Sequence, residues 1–177
     1  IKDGLTNIWK ILEIAKKKPV NFLISRDPLA RATSLYNYLT SEESAHELSH
    51  KSIEAKTLDE YIGSNAVEDS WLIRSIVNVP KKKIIEYQHF DAALDFLIEN
   101  RFVAGDIKNA NTIITKVLEK TYGVPLQESD LSNAKRNKSV QREKPSSVSQ
   151  KSLNNFSHRT KWDSKIYKIL LKNNNDI

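Results

Sequence analysis

The stretch Val20-Asn21-Phe22-Leu23-Ile24-Ser25-Arg26-Asp27-Pro28-Leu29-Ala30-Arg31-Ala32-Thr33-Ser34-Leu35-Tyr36-Asn37-Tyr38 decides the fold class. Its first six residues are short, mostly apolar and bounded by Pro19 and Pro28, the pattern of a strand buried in a parallel sheet. Pro28 suits the first turn of a helix, and Leu29, Ala32, Leu35, Tyr36 and Leu39 then recur on one helical face as far as Thr40. A strand therefore feeds a helix through Ser25-Arg26-Asp27-Pro28, which predicts an α/β protein.

On the amino-terminal side, Leu5, Ile8, Trp9, Leu12 and Ala15 recur at helical spacing before Lys16-Lys17-Lys18 and Pro19, predicting a helix with a basic end. On the carboxyl side, residues 41–56 are polar and read as a surface insertion. Thr57 or Asp59 is a candidate cap for a short helix ending at Gly63, and Val67 to Val77 carries Trp71, Leu72 and Ile76 at helical spacing before Pro80. Ile84-Ile85-Glu86 is a candidate short strand, His89 to Glu99 an amphipathic helix, and Phe102-Val103-Ala104 a second short strand ended by Gly105. Ile107 to Tyr122 reads as a helix with Gly123 at its C-cap and Pro125 beyond. From Ser129 to Gln150 the chain turns to Ser, Asn, Lys and Arg and reads as a flexible basic loop. Leu153, Phe156, Trp162, Ile166, Tyr167 and Leu170 return to helical order before Asn173-Asn174-Asn175.

Composition narrows the chemistry. The 177 residues are 39% apolar, enough for one core, and no apolar run approaches the roughly 18 residues of a membrane-spanning helix, so the chain reads as soluble. With no cysteine, it has no disulfide, thiolate metal site or thiol nucleophile. The net charge of +6 is uneven: residues 134–177 hold 11 of the 28 Lys and Arg but 3 of the 22 Asp and Glu. A local basic segment of this kind attracts phosphate, sulfate or nucleic acid, or serves only as a solvated tail. Four scattered glycines build no phosphate-cradling loop, and no G-x-S-x-G elbow presents a serine. His46, His50, His89 and His158 lack metal-ligand spacing and read as surface histidines, while Trp71, Trp162 and Tyr167 read as core residues.

One junction stands apart. Arg26 falls at the carboxyl end of the predicted strand, where ligands of open α/β sheets bind, and Ser34 lies about two turns into the helix that follows. A guanidinium fork beside a hydroxyl suits phosphate oxygens. The same spacing is met by an Arg26 that pairs with Asp27 or a helix carboxylate while Ser34 merely packs.

Arg26-Asp27-Pro28, Arg31, Ser34 and Tyr36 together resemble the 3′-phosphate-binding motif R-D-P-x-x-R-x-x-S-x-Y of sulfotransferases that use 3′-phosphoadenosine 5′-phosphosulfate (PAPS). The resemblance is greatest to the Golgi carbohydrate sulfotransferases related to heparan sulfate and to dermatan or chondroitin uronyl 2-O-sulfotransferases. It continues through His89-Phe90-Asp91-Ala92-Ala93 to Leu97, Phe102-Val103-Ala104-Gly105, Gly123, Asn137-Lys138-Ser139 and Trp162-Asp163 with Ile166-Tyr167. It implies a partial P-loop-like sulfotransferase fold with a short parallel sheet flanked by helices. Residues 1–133 would be the α/β core and 134–177 the basic loop and closing helices of the same domain. It further implies that Arg26 and Ser34 hold the 3′-phosphate of PAPS and of the product adenosine 3′,5′-bisphosphate. Arg136, Lys138 and Ser139 would close over the nucleotide, and Arg31 would face an acidic glycan or form a helix-surface salt bridge. The acceptor would be a glycan hydroxyl, without metal or nucleic acid, in the Golgi lumen or at its membrane. Asn137-Lys138-Ser139 and Asn155-Phe156-Ser157 then also read as glycosylation acceptors.

In that family the 5′-phosphosulfate loop and the catalytic base lie well before the 3′-phosphate motif, and only 25 residues precede Arg26 here. The expectation is a carboxyl-terminal portion of a longer enzyme, with any membrane anchor upstream of Ile1, or a degenerate relative. No catalytic residue is assigned. The alternative is a non-catalytic α/β module that binds a polyanion or nucleic acid through its basic end, with a steep salt dependence and no preference for a 3′-phosphate.

Overall fold

The computed structural model describes residues 20–41, 54–65, 69–123 and 143–172. The predicted helix over residues 5–15, most of the polar insertion and most of the basic loop lie outside them. The described residues form an α/β arrangement, mostly helical, around two parallel strands. Strand β1 (Phe22–Ser25) leads into α1 (Pro28–Leu39), then α2 (Leu58–Gly63), α3 (Trp71–Val77) and α4 (Tyr87–Glu99). Strand β2 (Val103–Asp106) follows, then a 3-10 turn and α5 (Ala110–Tyr122), and finally α6 (Gln150–Arg159) and α7 (Lys161–Lys172).

β1 and β2 pair in parallel with Phe22 opposite Val103 and Ser25 opposite Asp106. The register is set at its lower end, where the Val103 N–H donates to the Asn21 carbonyl at 2.8 Å and the Asn21 amide donates to the Asn100 carbonyl at 2.7 Å. β1 is half-buried rather than enclosed as its apolar run suggests, because among the described residues β2 is its one strand neighbour. Gly105 sits within β2 instead of ending it.

The helix boundaries follow their capping chemistry. Asp27 caps α1 by accepting from the Ala30 N–H at 3.0 Å, with Pro28 at the first helical position. Thr57, one of the two cap candidates, accepts from the Glu60 N–H at the start of α2. Gly123 closes α5 in the left-handed conformation at φ 64°, as its C-cap position requires. α4 ends in a Schellman turn, the Arg101 N–H donating to the Ile98 carbonyl and the Phe102 N–H to the Leu97 carbonyl. This forces Arg101, not a glycine, to φ 51°.

Two expectations need correction. Ile84-Ile85-Glu86 is no strand but the lead-in to α4, since Ile85 turns into the core while Ile84 turns to solvent and, among the described residues, no strand pairs with either. α3 begins at Trp71, four residues later than the periodicity implies, because Ser70 adopts a left-handed conformation at φ 47° and breaks the helix there. The carboxyl-terminal helices, α6 and α7, are separated at Thr160.

Two apolar clusters form the interior. Leu72, Ile73, Ile85, Phe90, Ala93, Leu97, Ala104, Ile166 and Leu170 join α3, α4, α7 and β2. Ala32, Tyr36, Leu58, Tyr61, Ile62, Val148 and Phe156 join α1, α2 and α6. The second is tied to the basic region: buried Asn37 donates to the Glu143 carbonyl and accepts from the Glu143 N–H, both at 3.0 Å.

Candidate functional site

Where the two clusters meet, beyond the carboxyl end of β1, lies a small cleft. Ser25, Arg26, Pro28, Arg31 and Ala32 come from β1 and α1; Trp71 and Leu72 come from α3; Phe156, Thr160, Asp163 and Tyr167 come from the closing helices. Its volume is about 30 Å³, so it admits a water or two, or the end of a ligand, but not a whole nucleotide.

The strand-to-helix turn explains the placement of both arginines. The Asp27 carboxylate is committed to the α1 cap, which starts the helix immediately after Arg26 and leaves that side chain at the sheet's carboxyl edge. Arg31, one turn into α1, points to the same cleft. Its guanidinium carbon stands 3.9 Å from the centre of the Trp71 ring, a cation–π contact that fixes the plane of the fork. Trp71 is therefore not the core residue expected; it is 37% exposed and forms a wall of the cleft.

Ser34 does not line the cleft. With about 100° of turn per residue, Ser34 lies roughly 60° beyond Arg31 on the side of α1 away from Ala32. The hydroxyl-bearing residues that line the cleft are Ser25, Thr160 and Tyr167. Of the other predicted residues, Arg136, Lys138 and Ser139 lie outside the described residues.

The opposite wall carries the electrostatics. Asp163 on α7 is buried, and its two oxygens accept from the Leu72 N–H at 2.8 Å and the Ile73 N–H at 3.1 Å. Burial pushes its carboxyl up to about 6, against the pull of those two bonds and of the Arg31 charge. Tyr167 is no simple core residue either, because its hydroxyl donates to the Asp106 carboxylate at the end of β2. Burial, followed by that bond, pushes the Tyr167 phenol up to about 12. For Asp106, burial opposes ionisation. The Tyr167 hydroxyl, the Lys108 N–H at 2.7 Å and the charges of Lys108 and Arg26 outweigh it and hold the carboxyl below its ordinary value.

Sequence reading missed Ser25, Thr160 and Asp163 as lining residues. The available signal was the Trp162-Asp163…Tyr167 run, whose spacing places Asp163 and Tyr167 on one helical face. His89 also needs correction: it is buried, and its Nδ1 accepts from the Glu86 N–H at 2.9 Å to start α4. Among the described residues no group of His, Asp and Glu is arranged to hold a metal, and no helix is long and apolar enough to cross a membrane. The Asn155 amide donates to the Gly63 carbonyl at 2.9 Å, joining α6 to the end of α2.

Comparison with protein-family models, with curated proteins and with solved structures finds no match to this chain.

Proposed function

We propose that the cleft anchors the 3′-phosphate of PAPS in a carbohydrate sulfotransferase of partial P-loop-like fold, with Arg26 as the principal cation and Arg31 beside it. One observation carries this: two arginines, one at the carboxyl end of a parallel strand and one in the first turn of the next helix, line a single cleft. Planar forks give a phosphate paired, charge-assisted bonds, and the carboxyl edge of a parallel sheet is where such ligands are received. The cleft's small size suits a terminal phosphate, with ribose and base outside it.

In sulfuryl transfer the acceptor hydroxyl oxygen attacks sulfur while the bond from sulfur to the bridging phosphate oxygen breaks. The acceptor proton passes to a base, and adenosine 3′,5′-bisphosphate leaves. Arg26 and Arg31 hold the nucleotide through both states, and none of the residues described is assigned as the base. Ser34 as a second phosphate ligand, closure by Arg136, Lys138 and Ser139, a glycan acceptor and a Golgi location belong to the same proposal. If Ser34 is a ligand, the phosphate sits over the α1 face beyond Arg31; if Ser25 is, it sits within the cleft. Ser34→Ala and Ser25→Ala separate these positions.

Calorimetry with adenosine 3′,5′-bisphosphate tests the assignment. Arg26→Ala is expected to weaken binding at least about tenfold, the loss of one charge-assisted contact. Unchanged affinity would remove Arg26 from the site. Thermal stabilisation by the bisphosphate but not by AMP is the expected signature, whereas an equal response to any polyanion would favour a non-catalytic module using the basic carboxyl-terminal segment.

A further inference from the structure

The turn between α3 and α4, Pro80-Lys81-Lys82-Lys83-Ile84-Ile85-Glu86-Tyr87, presents a surface that an anchor for phosphate does not explain. Lys81, Lys82 and Lys83 are all exposed. Ile84 is 77% exposed, more than any other large apolar residue described, and Tyr87 is 56% exposed. The turn is nevertheless firmly held. The buried Arg74 guanidinium donates to the Pro80 carbonyl at 2.6 Å and the Lys83 carbonyl at 2.8 Å, and the Lys83 N–H closes back on Pro80. Ile85 plugs into the core, so the alternation of an extended backbone turns Ile84 outward.

The neighbouring surface of α7 continues the pattern. Tyr87 rests edge-on against Trp162 at 5.7 Å between ring centres, Lys165 Nζ lies 5.7 Å from the Tyr87 ring, and Lys161 Nζ lies 4.9 Å over Trp162. Three lysines thus precede the aliphatic tip and two more stand against the neighbouring rings, with Glu86 the exposed carboxylate in the turn and Asp91 another on the first turns of α4.

We infer that this face docks on an anionic membrane surface, Ile84 entering the boundary between headgroups and acyl chains, Tyr87 lying at headgroup level and the lysines meeting lipid phosphates and carboxylates. The lysines alone would serve any polyanion; Ile84 decides between them. An aliphatic side chain gains nothing from a sulfate or a phosphate, but gains by leaving water for hydrocarbon. Stacking of sugars or bases would need open ring faces. Phe90 is buried, and Lys161 and Lys165 already stand over the rings. The face lies roughly half a turn of α7 away from Asp163 and Tyr167, so docking leaves the cleft accessible and stands whether or not the sulfuryl-transfer reading does.

Co-sedimentation with vesicles of phosphatidylcholine containing about one-third phosphatidylserine tests it, with pure phosphatidylcholine as reference. Binding is expected to the anionic vesicles alone. Replacing Lys81, Lys82 and Lys83 together by Ser should weaken it about a hundredfold, at roughly fivefold per charge. Ile84→Ser should weaken it about tenfold through loss of the buried aliphatic surface. The chain has no cysteine, so Ile84→Cys takes a single environment-sensitive fluorophore, whose emission should shift to the blue on binding. No preference for the anionic vesicles, or variants that bind as well as the parent, would overturn the inference. So would a label that stays in water while the lysines still drive binding, which assigns the face to a soluble polyanion.

Discussion

Arg74 and Asp163 are both buried beside the same short helix, each 5% exposed, and they are held in different ways. Arg74 sits against a counter-charge, Asp69 at 2.8 Å, and its remaining N–H groups reach the Asp69, Pro80 and Lys83 carbonyls. Asp163 has two backbone N–H groups at the start of α3 and a more distant Arg31. Dipoles offset desolvation less completely than a contacting charge does, so the carboxylate is left near protonation. Arg74 with its contacting ionic partner serves as scaffold, whereas Asp163, held by two backbone N–H groups and a more distant charge, takes up a proton more readily than an ordinary carboxyl.

The sharpest way to break this contrast is to remove the fully partnered charge. Arg74→Ala is expected to cost about 3 kcal/mol in urea unfolding, because it leaves three carbonyls and the Asp69 carboxylate without their donor at once. Arg74→Lys should recover little, since one ammonium cannot span those acceptors. A loss under about 1 kcal/mol would mean that water replaces the guanidinium without penalty.

Asp163 should show itself in pH dependence. Its folded-state value of about 6 exceeds its ordinary 3.8, so the native state holds the proton more tightly. Stability from this group is therefore greatest at low pH, falls as pH rises through the interval between those values, and is flat above it. The contribution is on the order of 3 kcal/mol. Asp106, whose carboxyl is lowered, slopes the other way, so the measurement is the difference between parent and Asp163→Asn. That difference should change between about pH 4 and pH 7; a constant difference would place Asp163 with Arg74 as scaffold.

Two smaller effects sharpen the picture. Asp106→Asn should bring the Tyr167 phenol down from about 12 toward an ordinary tyrosine, visible in an ultraviolet titration, because it removes the carboxylate that opposes tyrosinate. Arg101→Gly should stabilise the protein by about 1 kcal/mol in thermal unfolding, since glycine adopts the left-handed Schellman position without strain.

The contrast also explains what could be read from the sequence. β1, α1, the Thr57 cap and the Gly123 cap depend on neighbours within a few residues, so periodicity and capping chemistry found them. Arg26 was placed at the sheet edge for the same reason. Asp163 lies about 90 positions along the chain from the N–H groups it accepts, and nothing local marks it as buried. Ile84 and Ile85 form an apolar pair that suits a strand, and only the grip of Arg74 on the turn shows that one of them faces out. The large ring of Trp71 suggests a core residue, whereas it supports Arg31 at the surface. The separation of Ser34 from the cleft is a matter of rotation about α1, which sequence spacing resolves only once the lining of the opposite wall is known.

The paired amide bonds between Asn37 and Glu143 act as a tether. They fasten the downstream end of the basic segment to α1, six residues past Arg31 and so about 9 Å along the helix axis. Cutting this tether with Asn37→Ala would free the Glu143 backbone from the middle of α1 without touching either arginine of the cleft.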